Sequence, residues 1–495
     1  MFVTDMAAKR AELTPDKPAF IDVESGRTLT FEDVDALAEG AAAGLADLGV
    51  ARGDRVAILC QNRPEFFVAL FACQKAGFIL TPLNWRQPAA ELQPIVEMVR
   101  PRAVLFDAAF AETARALCRA VPMLPVALDA PQEDETAFSG FGRRETTRCR
   151  AIDGAAPWYL LFTSGTTGLP KAVIQTAGMT WVNAVNMSQA ARLTSADVGL
   201  NYLPLFHTAG VNLYTMPLYL IGATSYILKK FEPDAALDLI ADGRITTFFG
   251  VPAIYQAFSR SSRIDDIDLS RLGGWGCGGA PLPAPLVRFF AERGAIVCNG
   301  FGMTETGPTV FLQNPEDVES TIGSVGRAQM LCDVRIDGPA ETGGELQIRG
   351  PGITPGYYDD AEATAAAFTE DGWLKTGDVA RCDADGNVFI IDRIKDMYIS
   401  GGENVYPAEV ERVLHTHPDI LDVAVVGMAD EKWGEVGAAF LTTRDGAEFD
   451  PSALTRWCRE RLAAYKVPKR FTYLAEFPRT AAGKVKKHEL KAMLS

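Results

Sequence analysis

Apolar residues along this chain switch between helical and strand spacing, and that switching predicts a layered α/β fold. After Thr30, Val34, Leu37, Ala38, Ala41, Leu45 and Leu48 recur on one helical face. Thr30 followed by Asp33 reads as a capped start, and Gly49 as the stop. Val56 to Leu59, Phe78 to Leu80 and Ala103 to Phe106 are short continuous apolar runs that read as buried strands. Pro64 opens a helix over Glu65 to Ala76 that Gly77 ends. Residues Pro131 to Pro157 are polar and irregular, and the alternation resumes beyond them. Helices are expected over Met179 to Arg192, from Pro233, and over Pro283 to Arg293. Strands are expected at Leu200 to Leu203, Thr224 to Leu228, Thr246 to Phe249, Leu272 to Cys277 and Ala295 to Asn299. This order predicts two parallel-sheet α/β units.

From Ile322 to Asp392 the pattern breaks into short extended pieces, such as Glu345 to Arg349 and Val388 to Ile391, and predicts an appended small β unit. Past Arg393, helices at Pro407 to Thr416 and Pro451 to Ala464 flank strands at Leu421 to Val426 and Val436 to Leu441. About a hundred residues can fold alone. The expected division is a large domain over residues 1–394 and a small, mobile α+β domain over 395–495.

Composition narrows the class. A chain of 495 residues exceeds one ordinary core, and 48% apolar with 22% charged residues is a globular balance. A net charge of −15 argues against nucleic acid or an anionic membrane as main partner. Nine scattered cysteines show no metal spacing and fit a reduced compartment. The N-terminus carries no signal-like apolar core, and no apolar window is long enough to span a bilayer. The expectation is a cytoplasmic monomer or homodimer without an integral membrane segment.

Chemistry concentrates first in Tyr159 to Val173, YLLFTSGTTGLPKAV. An apolar strand breaks into hydroxyls, two glycines and one lysine, then returns to apolar residues. Gly165 and Gly168 permit close backbone approach, Thr163, Ser164, Thr166 and Thr167 bring hydroxyls, and Lys171 brings a point charge. These are the parts of a polyphosphate cradle. It is not a Walker loop, because Pro170 stands where that pattern needs its glycine-lysine pair.

Further strings follow in order: Leu205-Phe206-His207-Thr208-Ala209-Gly210, Asn299-Gly300-Phe301-Gly302-Met303-Thr304-Glu305, Thr376-Gly377-Asp378, Asp392-Arg393-Ile394-Lys395-Asp396, Ser400-Gly401-Gly402-Glu403 and Arg479 to Val485. Together they resemble the adenylate-forming superfamily, which groups acyl-CoA synthetases, peptide-synthetase adenylation domains and beetle luciferases. The resemblance runs from Thr28 to Lys491. It implies that the glycine-rich stretch holds the phosphates of ATP, and that Phe301 and the Gly279-Ala280-Pro281 turn enclose the adenine. Asn299, Gly300, Gly302, Met303 and Thr304 belong to the same nucleotide site. Asp378 and Arg393 would take the ribose, and Thr163 and Glu305 the Mg²⁺. His207 would gate a carboxylate pocket formed with Ala209, Gly210, Leu213 and Gly279. Lys484 would touch the carboxylate and the α-phosphate, Lys395 would be the hinge, and Ser400, Gly401, Gly402 and Glu403 would line the passage for coenzyme A. Two departures stand out: Phe301 replaces the commoner tyrosine, and Ala481 and Ala482 replace small hydroxyl or glycine residues.

The implied activity is that of an acyl-CoA synthetase: ATP and a carboxylic acid give acyl-AMP and pyrophosphate, then coenzyme A gives the thioester and AMP. Ala209, Gly210 and Leu213 predict an apolar pocket without a fixed cation, which ranks fatty acids first and aryl acids next. Phe248 to Ala253 and Trp275 are either its wall or plain core. The alternatives are an adenylation protein that loads a carrier protein, and a nucleotide-binding switch without catalysis.

Overall fold

The computed structural model describes residues 2–145, 150–163, 170–280, 282–339, 343–400, 403–444, 450–480 and 483–494. Its first sheet has seven strands in the order 171–176, 157–163, 79–82, 55–59, 103–106, 124–127, 136–137. All pair in parallel except the hairpin of Pro157–Thr163 with Lys171–Thr176. Its central strands are buried on both faces, which is why they read as unbroken apolar runs.

The second sheet has nine strands in the order 327–328, 311–312, 297–301, 274–277, 247–250, 198–201, 224–227, 18–22, 28–30. Here the chain departs from the simple reading of two successive units. The N-terminal hairpin reaches past the whole first sheet, and Phe20 pairs in parallel with Ser225. Phe20 then stacks on Phe67 and Tyr219, so helix Pro64–Ala76, almost wholly buried, is held between the two sheets. The predicted cap is present: Thr30 Oγ1 accepts from the Asp33 N–H at 3.1 Å, and Asp33 Oδ2 accepts from the Thr30 N–H at 2.9 Å.

The described part of the stretch expected as loop, 131–145 and 150–157, is more ordered than its polarity implied. It holds a short helical turn, Phe138–Phe141, whose Phe141 ring lies over Gly44 of helix Phe31–Asp47. A Cβ at Gly44 would stand 2.1 Å from that ring, so the glycine makes the docking site.

A four-stranded antiparallel sheet, 333–337, 344–349, 374–382 and 388–393, forms the expected β unit. The C-terminal domain has a five-stranded sheet flanked by helices Pro407–His415, Pro451–Arg459 and Lys487–Ala492. Tyr398, Val410, Leu414, Val425, Leu441 and Leu454 give it a core of its own. Among the described residues no helix is long and apolar enough to cross a membrane.

Candidate active site

The phosphate stretch is the connection of a β-hairpin. Thr163 and Lys171 face each other at its mouth, and the loop between them, with Ser164, Gly165, Thr166, Thr167 and Gly168, lies outside the described residues. Tyr159 anchors the incoming strand by donating its hydroxyl to Asn212 Oδ1 at 2.8 Å. The outgoing strand is braced by residues 354–358: Ile174 N–H donates to the Gly356 carbonyl at 3.1 Å, and Tyr358 N–H to the Ala172 carbonyl at 2.8 Å. This brace sets the Lys171 ammonium 4.7 Å from the centre of the Tyr357 ring.

Strand Val297–Phe301 carries the next motif to the same edge. A Cβ at Gly300 would meet the Phe311 carbonyl oxygen at 2.7 Å, and one at Gly302 would overlap the Pro308 carbonyl oxygen at 1.3 Å. Only glycine lets this chain double back so tightly. Phe301 packs 6.1 Å from Phe311, which leaves its ring partly exposed. Asn299 donates to the Ser324 carbonyl at 3.0 Å, while its buried Oδ1 meets no donor among the described residues. Met303 and Thr304 continue into the turn, where the Thr304 carbonyl accepts from Gln175 at 2.9 Å. Glu305 follows, 5% exposed, accepting from the Tyr357 hydroxyl at 3.0 Å. Burial raises its pKa against the pull of that hydrogen bond, Arg393 and Lys171.

Opposite, Gly279 takes φ +81° and with Ala280 forms the turn after strand Gly274–Cys277; Pro281 lies outside the described residues. Asp378 is 3% exposed and accepts from Arg393 Nε at 2.8 Å. Its other oxygen is buried and meets no donor among the described residues. Burial pushes its pKa up, while Arg393 and Lys484 draw it down. An orphaned carboxylate oxygen beside a guanidinium suits a diol, so the residues present fit a ribose. Glu305 likewise fits a hard cation that completes its shell from phosphate oxygens.

The lid reaches this cleft. Desolvation and Arg393 lower the pKa of Lys484, opposed by Asp378 and Glu305, and Lys395 lowers it further. Lys484 is thus within electrostatic reach of Asp378, Glu305, Arg393 and Lys395, at a position exposed to solvent. Gln256 Nε2 donates to the Leu421 carbonyl at 2.9 Å and helps to seat the lid. Lys395 is exposed in the turn between strands Val388–Arg393 and Tyr398–Ser400. Ser400 is buried in the lid sheet and faces Glu403 across a hairpin whose Gly401 and Gly402 lie outside the described residues. Among the described residues no hydrogen bond or ion pair joins Ser400 or Glu403 to the nucleotide site. The structure thus brings Lys484 toward Asp378 and Glu305, while Ser400 and Glu403 pair within the C-terminal sheet.

His207 lies within electrostatic reach of Lys484 of the C-terminal domain and of Arg86 of the large one. Desolvation, then Lys484 and Arg86, push its pKa down to about 4, so the imidazole is neutral near pH 7. Ala209–Leu213 forms a π-helical turn after it. Gly210 is a packing glycine, because a Cβ there would stand 2.4 Å from the Pro204 carbonyl oxygen. Leu213 is half-buried against the core of the second sheet. Tyr357, through Glu305 and Lys171, and Arg86, through His207, join this group, while Tyr214 and Phe249 are buried in the core of the second sheet behind the turn. Tyr357 and Arg86 escaped the sequence reading because each acts through residues at least 52 positions away, such as Glu305 and His207; only the Gly356-Tyr357 pair hinted at a close turn.

The chain belongs to the AMP-binding enzyme family: the model of that family matches residues 7–358, and that of the AMP-binding enzyme C-terminal domain matches residues 409–484. Fold, family and full-length relatives define it as an AMP-forming acid–thiol ligase, an acyl-CoA synthetase that uses ATP and magnesium. A feruloyl-CoA synthase of Amycolatopsis sp. is 38% identical over 492 residues, 98% of this chain and 97% of its own. An indoleacetate–CoA ligase of Aromatoleum aromaticum is 36% identical over 512 residues, 100% of this chain and 98% of its own. Among solved structures, O-succinylbenzoate coenzyme A synthetase from Bacillus subtilis, in complex with ATP and magnesium ion, superposes with a TM-score of 0.87 at 31% identity, covering 99% of this chain and 100% of that one.

Proposed function

We propose that the acid activated by this synthetase is an aryl or arylalkanoic carboxylate, ahead of the long-chain fatty acids that the apolar pocket first implied. The observation that carries this reading is Phe249. Its ring lies over the glycines of the neighbouring strand, where a Cβ at Gly276 would stand 2.7 Å and one at Gly278 3.1 Å from it. Tyr214 packs edge-on against the same ring at 5.6 Å. Both rings are buried in the core of the second sheet, between the turn after His207 and this strand; in this reading their edges close the end of the acid pocket, where aromatic rings favour a flat substrate over a long chain. The feruloyl and indoleacetate relatives point the same way.

In this reading Lys484, His207, Glu305 and the phosphate hairpin perform adenylation with the lid in the present pose. Lys484 and Lys171 neutralise charge on the reacting carboxylate and phosphates, and neutral His207 shapes the carboxylate site without adding a charge. A carboxylate oxygen attacks the α-phosphorus, the bond to pyrophosphate breaks, and acyl-AMP forms. Asp378 and Arg393 hold the ribose, and Phe301 with the Gly279-Ala280-Pro281 turn holds the base. Magnesium, held by Glu305 and Thr163, would supply charge neutralisation at the departing pyrophosphate. The lid, residues 395–495, then turns about Lys395 and exchanges Lys484 for the hairpin of Ser400, Gly401, Gly402 and Glu403. The coenzyme A sulfur attacks the acyl carbon, AMP leaves, and the thiol proton passes to solvent. The enzyme acts in the cytoplasm as a monomer or homodimer; the described cysteines are all free thiols, in keeping with a reducing compartment.

Pyrophosphate exchange across a panel of acids tests the substrate. Cinnamates, benzoates and arylacetates are expected to exceed palmitate in kcat/KM by at least about tenfold. Palmitate ahead of every aryl acid would overturn the proposal.

A further inference from the structure

Tyr357 touches two groups of opposite charge with two different parts of one ring. Its hydroxyl donates to Glu305 Oε1 at 3.0 Å, and its face carries the Lys171 ammonium 4.7 Å from the centroid. Lys171 is close enough to lower the pKa of Glu305, yet no ion pair joins the two among the described residues. The ring stands where that pair would otherwise close.

The position of the ring is over-determined. Thr354 N–H donates to the Glu305 carbonyl at 2.8 Å, and Thr354 Oγ1 donates to the Ile174 carbonyl at 2.7 Å. Tyr357 bridges Val173 of the hairpin, and its N–H donates to Thr364 Oγ1 at 2.9 Å. Gly356 lets the strap press close, because a Cβ there would stand 2.4 Å from Thr364. One segment, 354–358, thus holds the strand that begins with Lys171 and the turn that carries Glu305.

We infer that Tyr357 is a positioning residue that keeps Lys171 and Glu305 apart and separately aimed, the lysine at the nucleotide's phosphate tail and the glutamate at the metal that accompanies it. The inference rests on the proposed role of Glu305 as a magnesium-holding residue. A direct Lys171–Glu305 pair would cancel both charges before the nucleotide arrived. The hydroxyl fixes the carboxylate's orientation while leaving acceptor capacity for a cation, and the π face holds the ammonium without neutralising it.

Equilibrium binding of ATP to the full-length protein, with no acid present so that nothing turns over, separates the two contacts. Affinity is measured in EDTA and again in excess Mg²⁺, and the ratio of the two is the magnesium increment. Tyr357→Phe keeps the ring over Lys171 and removes only the hydroxyl. It is expected to reduce the magnesium increment about tenfold and to leave affinity in EDTA unchanged. Tyr357→Leu removes the face as well and is expected to weaken binding in EDTA by about threefold more. Glu305→Gln serves as the reference. If it abolishes the increment while Tyr357→Phe preserves it, the positioning role is refuted and the role of Glu305 stands. If Glu305→Gln also preserves the increment, the metal assignment itself fails and the inference falls with it. Equal weakening by Tyr357→Phe with and without Mg²⁺ marks a merely structural tyrosine and overturns the inference.

Discussion

Asp392 Oδ2 accepts a hydrogen bond from the backbone N–H of Ala408 at 2.7 Å, joining the last strand of the four-stranded sheet to the first turn of the lid helix Pro407–His415. Oδ1 accepts from the Arg393 N–H at 2.7 Å, and Lys487, paired with Glu411 at 2.8 Å, faces the same carboxylate. A cluster of one cation and two carboxylates therefore sits where the four-stranded sheet meets the C-terminal domain.

Burial outweighs Lys487 and raises the Asp392 pKa to about 6, with Glu411 adding to the rise. A carboxyl raised in the folded state binds its proton more tightly there than in the unfolded chain. Its folded-state advantage is thus present at low pH and is lost as pH climbs from the ordinary aspartate value to about 6. Unfolding free energies of the wild type and Asp392→Asn from urea titrations should diverge across that window by about 3 kcal/mol and run parallel above it. A constant difference from pH 4 to 7 would contradict the assignment.

Lys484→Ala should cut acyl-AMP formation by about a hundredfold or more, since it removes a charge aimed at the reacting phosphate. ATP binding should largely persist, because Asp378, Arg393, Lys171 and the glycine turns remain. Pyrophosphate exchange read beside nucleotide affinity checks this. Exchange at the parental rate would show that another group supplies the charge.

Lys395→Pro stiffens the turn between the two domains at an exposed position. If the present arrangement is the adenylating one, as proposed, the first half-reaction should continue while thioester formation stalls. Single-turnover assays of both steps decide; equal loss in each would place the pivot elsewhere.

Gly302→Ala puts a methyl group into the Pro308 carbonyl, which forces the turn that carries Glu305 to move. ATP affinity should fall by at least about tenfold, with about 1–3 kcal/mol lost in stability. Titration and thermal melting would reveal it. Wild-type affinity would mean that the turn does not shape the nucleotide site.

Phe249→Ala removes the ring on which the proposed acid pocket ends. Relative kcat/KM should shift toward octanoate and palmitate by about tenfold, at a core cost of about 3 kcal/mol. If the ranking of acids stays fixed, Phe249 is core and not pocket wall.

Much of the architecture was legible because its signals are local. Thr30 and Asp33 cap their helix through contacts three residues apart, and Val56 to Leu59 is a strand because an unbroken apolar run of that length buries both faces. The N-terminal hairpin was not legible in this way: Phe20 needs Ser225 as its neighbour, and no local period encodes a partner some two hundred residues off. The same limit governed the 131–157 stretch, whose order depends on Gly44 making room for Phe141.

By itself the sequence determined which chemical groups the proposed site can draw on, since the glycines, hydroxyls, carboxylates and Lys484 stand in motifs whose order is covalent. Only the tertiary structure decided how they are used. It set Lys484 beside Asp378 and Glu305, left a buried oxygen of Asp378 without a donor, and slid Tyr357 between Lys171 and Glu305. Charges interact through space and not along the chain, so those relations exist only once distant segments are packed against one another.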